Sequence, residues 1–199
     1  MPPRRSSAAM EALLDAAERL LVEVGYAGIT TRRLAQEAGV NHGLVHYYFG
    51  SMEEVFLQVL ERFTDRLIER QQAMYAAPVS FLDKWRAAMR YLDEDQAAGY
   101  PKIWFELRAM AWNRPELRER VAKVHDRWVE VLLPAFAEGM AAYGLDAERF
   151  PVRAVVALVT TFNQGIEVER LSGVDSGHRE LLAAIDAWIE SLERRKQKG

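Results

Sequence analysis

The stretch "GVNHGLVHYYFG", residues 39–50, decides the fold that this sequence predicts. It lies between two segments of helical periodicity and combines histidines, tyrosines and glycines with an apolar repeat. On a helix over residues 42–49, Val45 and Phe49 are four residues apart and share one face, so both are predicted to point into a core. The outward face then carries imidazole, leucine and phenol side chains in place of the usual lysine and glutamate: His42, Leu44, His46 and Tyr47.

A second short helix is predicted immediately before this stretch. It covers residues 31–38, with Thr30 as its N-cap, and Gly39 suits the left-handed turn that follows it. Asn41 is the predicted cap of the third helix. Two short helices joined by such a turn form a helix-turn-helix, whose second helix can enter the major groove of DNA. Exposed imidazoles can bond base edges there, and a phenol can bond a phosphate.

Helical periodicity continues through almost the whole chain, and no stretch shows sustained strand alternation. The predicted fold class is therefore all-α. Pro134 lies inside a long helical segment, where we expect a kink or a break. The predicted helices cover residues 7–24, 31–38, 42–49, 51–74, 80–98, 102–112, 115–143, 152–171 and 177–195.

Composition restricts the function classes. The chain has 199 residues and no cysteine, which removes thiol catalysis, disulfides and thiolate metal sites. It contains no run of about 18 apolar residues, so we expect no membrane partner and a cytoplasmic protein. The formal net charge of −3 argues weakly against nucleic-acid binding, but the distribution of charge matters more than the sum. We expect no cofactor.

Residues 7–63 resemble the DNA-binding domain of the TetR family of bacterial transcriptional regulators. The similarity rests on the run "LLDAAERLLVEVGYAGITTRRLAQEAGVNHGLVHYYFGSMEEVF". It contains a helix ending in "GY", then "TTRRLAQEAGV", a short helix ending in "YYF", and "GSMEEVF". The resemblance implies a homodimeric regulator, expected to be a repressor, that binds palindromic double-stranded operator DNA. A small-molecule effector entering the C-terminal domain is expected to release the DNA.

The resemblance also implies roles for individual residues. Thr30 and Arg32 match positions that contact the DNA backbone at the start of the second helix. Tyr48 matches a phosphate-contacting position, and most of the residues between Asn41 and Tyr48 match base-facing positions. The predicted DNA-contacting residues are Thr30, Arg32, Asn41, His42, Gly43, Leu44, His46, Tyr47 and Tyr48.

Three positions depart from the family pattern. Leu44 stands where a threonine is common, and His46 where a tyrosine is common. These two departures leave the operator sequence open. Met52 stands where a lysine usually reaches the DNA backbone, so we expect a weaker nonspecific affinity that depends less on salt.

An all-α metal-binding or hydrolytic enzyme is the alternative. His42 and His46 lie four residues apart on one helix face, which is a spacing that metal sites use. No cysteine, aspartate or glutamate in the same helix completes such a site. His125 and His178 stand in separate segments without a recognisable motif. The sequence therefore favours a DNA-binding protein over an enzyme.

The chain is predicted to have three parts. A three-helix helix-turn-helix domain covers residues 1–50, and a linking helix covers residues 51–74. A helical ligand-binding and dimerisation domain covers residues 75–199. We expect a bound ligand to move the linking helix and so change the spacing of the two recognition helices of a dimer, which should be about 34 Å.

Aromatic and polar residues of the C-terminal part are candidates for ligand binding, since sites between helices are largely apolar with a few polar groups. Core packing is the alternative for any single tryptophan. Asn163, Gln164 and Glu167 interrupt the apolar pattern of their helix, and they need partners if they are buried. The predicted ligand-binding residues are Trp104, Arg108, Trp112, Trp128, Phe162 and Asn163.

The last two predicted helices suit dimerisation. In the resembling family, these helices pair with their counterparts as a four-helix bundle, and Gly165 would allow a neighbouring helix to approach closely. Burial of both apolar stripes within the monomer is the alternative. The predicted interface residues are Val155, Val159, Phe162, Ile166, Leu181, Ile185, Trp188 and Leu192.

Overall fold

The structure is a computed structural model that describes residues 4–197, with side chains from residue 8 onward. Within that range the chain forms nine α-helices and one 3₁₀ helix, and it contains no strand. The prediction of an all-α fold is confirmed. The elements are α1 Arg4–Val24, a 3₁₀ helix Tyr26–Gly28, α2 Thr31–Glu37, α3 Gly43–Phe49, α4 Met52–Ala76, α5 Phe81–Ala98, α6 Tyr100–Ala111, α7 Pro115–Ala142, α8 Val152–Leu171 and α9 His178–Lys196.

Side-chain caps explain where several helices begin. The Thr30 hydroxyl accepts a hydrogen bond from the backbone N–H of Arg33 at 3.2 Å at the start of α2. The Ser51 hydroxyl accepts one from the backbone N–H of Glu54 at 3.2 Å, which fixes the start of α4. Each of these hydroxyls satisfies an N–H group that has no partner within its own helix.

The long helix α7 continues through Pro134 without a break, so the expectation of a break is wrong. A proline inside a helix removes the hydrogen bond to the carbonyl of the residue four positions earlier, which here is Glu130. Pro134 and Glu130 both lie on the exposed side of α7. Water can therefore reach the carbonyl that the proline leaves unbonded, and the buried face of the helix keeps its packing.

The chain divides into two compact units, described here separately. Unit 1 contains residues up to 66 together with residues 98–124, and unit 2 contains residues 67–97 and the chain from residue 125 onward. Helices α4 and α7 therefore contribute their N-terminal parts to unit 1 and their C-terminal parts to unit 2. These divisions differ from the sequence-derived boundaries at residues 50 and 74, because a continuous helix shows no change of period where it passes between units.

The core of unit 1 is built from apolar residues of α1, α2, α3, α4 and α6. Helices α1, α2 and α3 contact one another, and α6 contacts α1. The spacing of the buried positions in α1 and α4 repeats every three or four residues, as expected for helices with one inward face. The largest fully buried apolar side chains of this unit include Leu13, Leu21, Leu34, Val45, Val55, Leu60, Ile103 and Leu107.

Unit 2 contains two apolar clusters. The Phe136 cluster has Leu132, Phe136 and Val156 at its centre. A second cluster joins α5 to α9 and has Leu82, Trp85 and Ile189 at its centre. The residues packed against the Phe136 cluster are Tyr75, Phe81, Val129, Leu133, Val152, Val155 and Val159.

Much of the predicted dimer stripe lies inside the protomer. Ile166 is 3 % exposed and Leu192 is 8 % exposed, so both are core residues and their assignment to an exposed interface is wrong. Val155 and Val159 pack on the Phe136 cluster, and Ile185 packs on the second cluster. The physical reason is that α8 is apolar on two faces, and the sequence alone does not show which face is turned inward.

The apolar stripe of α8 and α9 that faces solvent includes two of the eight predicted interface residues, Leu181 and Trp188. Leu158 is 69 % exposed and Trp188 is 54 % exposed. The other exposed residues that share this stripe are small or apolar: Ala154, Thr161, Gly165, Val168, Leu181 and Ala184.

No helix within residues 4–197 is both long enough and apolar enough to cross a membrane.

Candidate nucleic-acid interface

Helix α3 has one buried face and one exposed face. Val45 is completely buried and Phe49 is 6 % exposed, whereas Tyr47 is 76 % exposed. The predicted orientation of α3 is therefore present in the structure. Leu44 and Tyr48 are half-buried at the edges of the exposed face, which also contains Asn41, His42, Gly43 and His46.

The start of α3 is held by Asn41. Its side-chain oxygen accepts a hydrogen bond from the backbone N–H of Gly43 at 2.9 Å. α3 begins one residue later than predicted, and His42 occupies the capping position without a side-chain hydrogen bond of its own. His42 is therefore exposed immediately before the first turn of α3.

A backbone contact defines the hydrogen-bonding state of the His46 ring. Its Nδ1 lies 3.1 Å from the carbonyl oxygen of Gly50. Because a carbonyl only accepts hydrogen bonds, Nδ1 carries the proton and donates. In the neutral ring, Nε2 is then an acceptor. Gly50, with φ 73°, ends α3 and supplies this carbonyl.

The aromatic residues at the end of α3 pack edge to face. The Tyr47 and Tyr48 ring centroids are 5.0 Å apart, and those of Tyr48 and Phe49 are 6.3 Å apart. The buried Phe49 therefore supports Tyr48, which in turn supports the exposed Tyr47. Edge-to-face packing of this kind restricts the ring orientations.

The start of α2 presents one hydroxyl and one cation. The Thr30 oxygen caps α2, and its O–H remains able to donate to another group. Arg32 is exposed. The neighbouring Arg33 donates to the carbonyl of Gly28 at 3.2 Å, so it holds the turn that precedes α2.

Charged pairs attach α4 to α1, and the sequence interpretation did not identify them. The Arg62 guanidinium on α4 lies 2.8 Å from Asp15 and 2.9 Å from Glu18. It also lies 3.2 Å from Glu11, and Arg66 lies 2.7 Å from Glu18. In the sequence, the spacing of these three acids on one face of α1 was the feature that could have indicated a basic partner helix. These pairs orient α4 on the helix-turn-helix.

Helix α6 holds the end of α1. The Lys102 ammonium donates to the carbonyl of Val22 at 2.6 Å, and a Glu106 carboxylate oxygen accepts from the backbone N–H of Tyr26 at 2.7 Å. Gly25 lies between these contacts with φ 70°. The positive φ favours glycine there, and a Cβ at Gly25 would also displace the Glu106 carboxylate, because it would lie 2.5 Å from Glu106 Oε1.

The N-terminal part of α7 is attached to α4 in the same unit. Arg114 lies 2.6 Å from Glu53, and this hydrogen bond holds the pKa of the Glu53 carboxyl below its ordinary value. Arg120 donates to Glu61 at 2.8 Å and also pairs with Glu54. Unit 1 therefore joins α7 to α4, and α4 to α1, through arginine–carboxylate pairs.

The predicted ligand-binding residues are distributed over both units. Trp104 is buried in unit 1, with the Arg108 guanidinium 5.2 Å from its ring centroid. Trp112, also in unit 1, is 70 % exposed, so its assignment to an enclosed cavity is wrong. It follows the last residue of α6, where no element covers it. Trp128, Phe162 and Asn163 are half-buried in unit 2.

The histidines of the interface have no metal-ligand geometry around them. His42 precedes α3, and His46 is bonded to the backbone at the other end of the helix. Among the residues that the structure describes, no three His, Asp or Glu side chains are grouped to hold a metal ion.

Known proteins share this helix-turn-helix and the remainder of the fold. Residues 13–59 match the family described as "Bacterial regulatory proteins, tetR family". A regulator of Paraburkholderia xenovorans, named HTH-type transcriptional regulator BetI, is 30 % identical over 148 residues, which cover 68 % of this chain and 74 % of the relative. The chain belongs to the TetR family of bacterial transcriptional regulators.

Solved structures of regulators extend the similarity of fold to more than nine tenths of the chain. A transcriptional regulator FadR from Bacillus subtilis, in complex with stearoyl-CoA, matches with a TM-score of 0.72 and 18 % identity, covering 92 % of this chain and 95 % of that one. A regulator from Saccharomonospora viridis, in complex with choline, matches with a TM-score of 0.68 and 16 % identity, covering 93 % and 95 %. These similarities show the common fold.

The contact of α6 with the end of α1 can be tested by replacing Glu106. We expect Glu106→Ala to lower the free energy of unfolding by about 1–2 kcal/mol, because the variant removes a charge-assisted hydrogen bond from the Tyr26 N–H. Chemical denaturation measures this change. Glu23→Ala is the control, since Glu23 is exposed near the same end of α1. Equal effects of the two substitutions would show that the hydrogen bond contributes nothing.

Proposed function

We propose that this TetR-family regulator is a repressor that binds palindromic operator DNA as a homodimer and releases it when a small-molecule effector binds in unit 2. The observation that carries the proposal is the exposed face of α3. A helix whose buried side is fixed by Val45 and Phe49 presents His46 and Tyr47 to its surroundings. These are side chains that read base edges or bond phosphates, and we infer no enzymatic role for them.

Two sets of residues have separate roles in this proposal. Thr30 and Arg32 at the start of α2 contact the phosphate backbone and position the domain. The exposed face of α3 enters the major groove and reads bases. Tyr48 is half-buried and reaches a phosphate at the edge of the groove, while Leu44 contacts a thymine methyl group.

The hydrogen bond of His46 to Gly50 bears on the base that His46 selects. With Nδ1 donating to the carbonyl of Gly50, the exposed Nε2 of the neutral ring accepts a hydrogen bond. In the major groove, adenine and cytosine present amino donors, whereas guanine presents only acceptors. We therefore infer that His46 selects adenine or cytosine.

The dimer is proposed to form through the solvent-facing stripe of α8 and α9. Gly165 is central to it, because a Cβ placed there meets no atom within 4 Å. A glycine inside a helix costs about 1 kcal/mol relative to alanine, and no packing within the protomer requires it. Close approach of the same helix from a second copy accounts for it, and the exposed Leu158 and Trp188 would then be covered.

Effector binding is proposed to act through α4 and α7. Both helices begin in unit 1 and end in unit 2. Ligand binding would move the C-terminal parts of α4 and α7, and their N-terminal parts would move with them. In unit 1, ion pairs join α7 to α4 and α4 to α1. A change in the separation of two recognition helices then lowers operator affinity. Couplings of this type are typically about 1–3 kcal/mol.

Small-molecule binding is supported by the fold neighbours that are in complex with stearoyl-CoA and choline, and we place the site in unit 2. Of the residues predicted from sequence, Trp128, Phe162 and Asn163 belong to unit 2 and remain candidates. Trp104 and Arg108 belong to unit 1 and are candidates only for transmitting the response. As a regulator of bacterial genes, the protein is proposed to act in the cytoplasm.

The reading face is tested by Tyr47→Ala. We expect the operator affinity to fall about thirtyfold or more, since contacts of this kind contribute about 1–3 kcal/mol and occur twice in a dimer. Duplexes selected by the wild-type protein from a random library supply the operator, and fluorescence anisotropy measures the affinity. Phe150→Ala is the control, because Phe150 is also an exposed aromatic residue, in unit 2. Unchanged affinity of Tyr47→Ala would contradict the proposal.

The assignment of His46 is tested by comparing base preferences. We expect the wild-type protein to select adenine or cytosine at one position of each half-site. His46→Arg should shift that position to guanine, since an arginine pairs with the O6 and N7 acceptors of guanine. Sequencing of the duplexes selected by each protein gives the preference. Selection of guanine by the wild-type protein at this position would refute the role of Nε2 as an acceptor.

The proposed interface is tested by Leu158→Arg. We expect the dimer dissociation constant to rise about a hundredfold or more, because the substitution places two guanidinium groups near the twofold axis of an apolar interface. Sedimentation velocity measures the association state. Val79→Arg is the matched control, since Val79 is also exposed in unit 2 but lies outside the stripe. A dimer that tolerates Leu158→Arg would have its interface elsewhere.

A further inference from the structure

Several polar residues lie in the interior of unit 2. The acceptor cluster, as named here, consists of Gln71 on α4, Asp95 and Gln96 on α5, and Asn163 and Glu167 on α8. Gln71 and Asp95 are each only 8 % exposed. The other three residues are half-buried. Buried polar groups normally have hydrogen-bond partners, so the partners of this cluster decide what it can bind.

Contacts between the helices bring Asp95 and Glu167 of this cluster together with Arg70. Arg70, the neighbour of Gln71, donates to both Asp95 oxygens at 2.6 and 2.7 Å. Asp95 in turn lies close enough to Glu167 for their charges to interact. The three helices α4, α5 and α8 therefore converge at the Asp95 carboxylate.

Helical register places two of the three amides, Gln71 and Asn163, one turn from residues that pack against the Phe136 cluster. Tyr75 and Val159 both pack against that cluster. Gln71 lies one turn before Tyr75 on α4, and Asn163 lies one turn after Val159 on α8. Glu167 follows Asn163 by one further turn. Along both α4 and α8, polar residues of the acceptor cluster thus lie next to residues that pack against the Phe136 cluster.

Three amide oxygens of the acceptor cluster lack a hydrogen-bond partner among the residues that the structure describes. Gln71 Oε1, Gln96 Oε1 and Asn163 Oδ1 are inaccessible to solvent and have no partner within the described part of the chain. Each of these oxygens accepts hydrogen bonds. One donor of this region, Nε of Arg70, is also buried without a partner in the described range. The other guanidinium nitrogens of Arg70 pair with Asp95 and Glu94. Among the unpartnered buried atoms of this region, acceptors therefore outnumber donors by three to one.

The charge of the cluster is negative and incompletely neutralised. Burial, reinforced by the nearby Asp95, raises the pKa of Glu167 to about 7. Arg170, on the same helix, opposes this shift, but it also pairs with Asp93 at 2.7 Å. A cation placed beside Glu167 would restore the ionised form of its carboxyl, whereas an anion would face two carboxyl groups.

We propose that the acceptor cluster binds the ammonium end of a small organic amine, whose apolar end lies against Tyr75, Val156 and Val159. Glu167 forms the ion pair with the ammonium, and the amide oxygens of Gln71 and Asn163 accept its N–H groups. This inference rests on the proposed function, because it names the chemical class of the effector. A protonated primary amine fits better than a quaternary ammonium ion, since only the former has N–H donors.

Hexylamine is the probe that tests this proposal, because it combines a primary ammonium group with an apolar chain. Isothermal titration calorimetry of the full chain measures its binding at about pH 8. We expect hexylamine to bind, and hexanoate and hexanol not to bind. We also expect the affinity to fall about tenfold at about pH 6, because Glu167, with a pKa of about 7, then becomes largely protonated.

Two variants separate the role of Glu167 from a general effect of charge. Glu167→Gln keeps the shape of the side chain and should weaken hexylamine binding about tenfold or more. Glu130→Gln makes the same charge change at an exposed position of α7 and should leave it unchanged. Should Glu167→Gln not fold, Asn163→Leu tests the same site through a lost acceptor. Absence of hexylamine binding, or equal binding by wild type and Glu167→Gln, would overturn the proposal.

Operator binding without amine separates failure of this inference from failure of the proposed function. A protein that binds its selected duplex but not hexylamine would refute only the amine site. A protein that binds hexylamine but no duplex would refute the regulator and leave the site intact. Release of the duplex by hexylamine, but not by hexanoate, would support both.

Discussion

The burial of Val45 and Phe49 is the constraint on which the interface depends. Helix α3 has seven residues, which is too short for a helix to be stable on its own in water. Packing of these two side chains against unit 1 therefore supplies most of its stability. Because they are four residues apart, they fix the rotation of α3 as well as its position. His46 and Tyr47 point outward as a direct consequence.

Arginine–carboxylate pairs define how α1, α4 and α7 are oriented on one another. A single exposed ion pair is worth at most about 1 kcal/mol, so these pairs add little to the free energy of unfolding that apolar packing supplies. Arg62 faces three carboxylates of α1, and this arrangement defines one register of α4 on α1. Arg120 does the same for α7 on α4. Together these pairs define the orientation of the elements rather than the stability of the unit.

The sequence predicted the local structure well and the long-range structure poorly, for physical reasons. Periodicity and capping residues identify individual helices, so α3 and its orientation were predictable from Val45 and Phe49 alone. The outward face of α8 was not, because both of its faces are apolar and only the neighbouring helices decide which one is covered. The contact of Glu106 with Tyr26 could not be predicted either, since it joins residues 80 positions apart in the sequence.

Asn163 and Glu167 are the polar residues of α8 that the sequence pattern identified and that the structure places in the interior of unit 2. They interrupt an otherwise apolar face of α8, and a folded protein gains nothing in stability from a buried amide oxygen without a partner. Leucine or valine at these positions would pack against the Phe136 cluster without that cost. Their presence therefore points to a state in which the missing donors are supplied. Since α4 carries Gln71 in unit 2 and Arg62 in unit 1, a ligand that supplies those donors acts on the same helix that is bonded to α1.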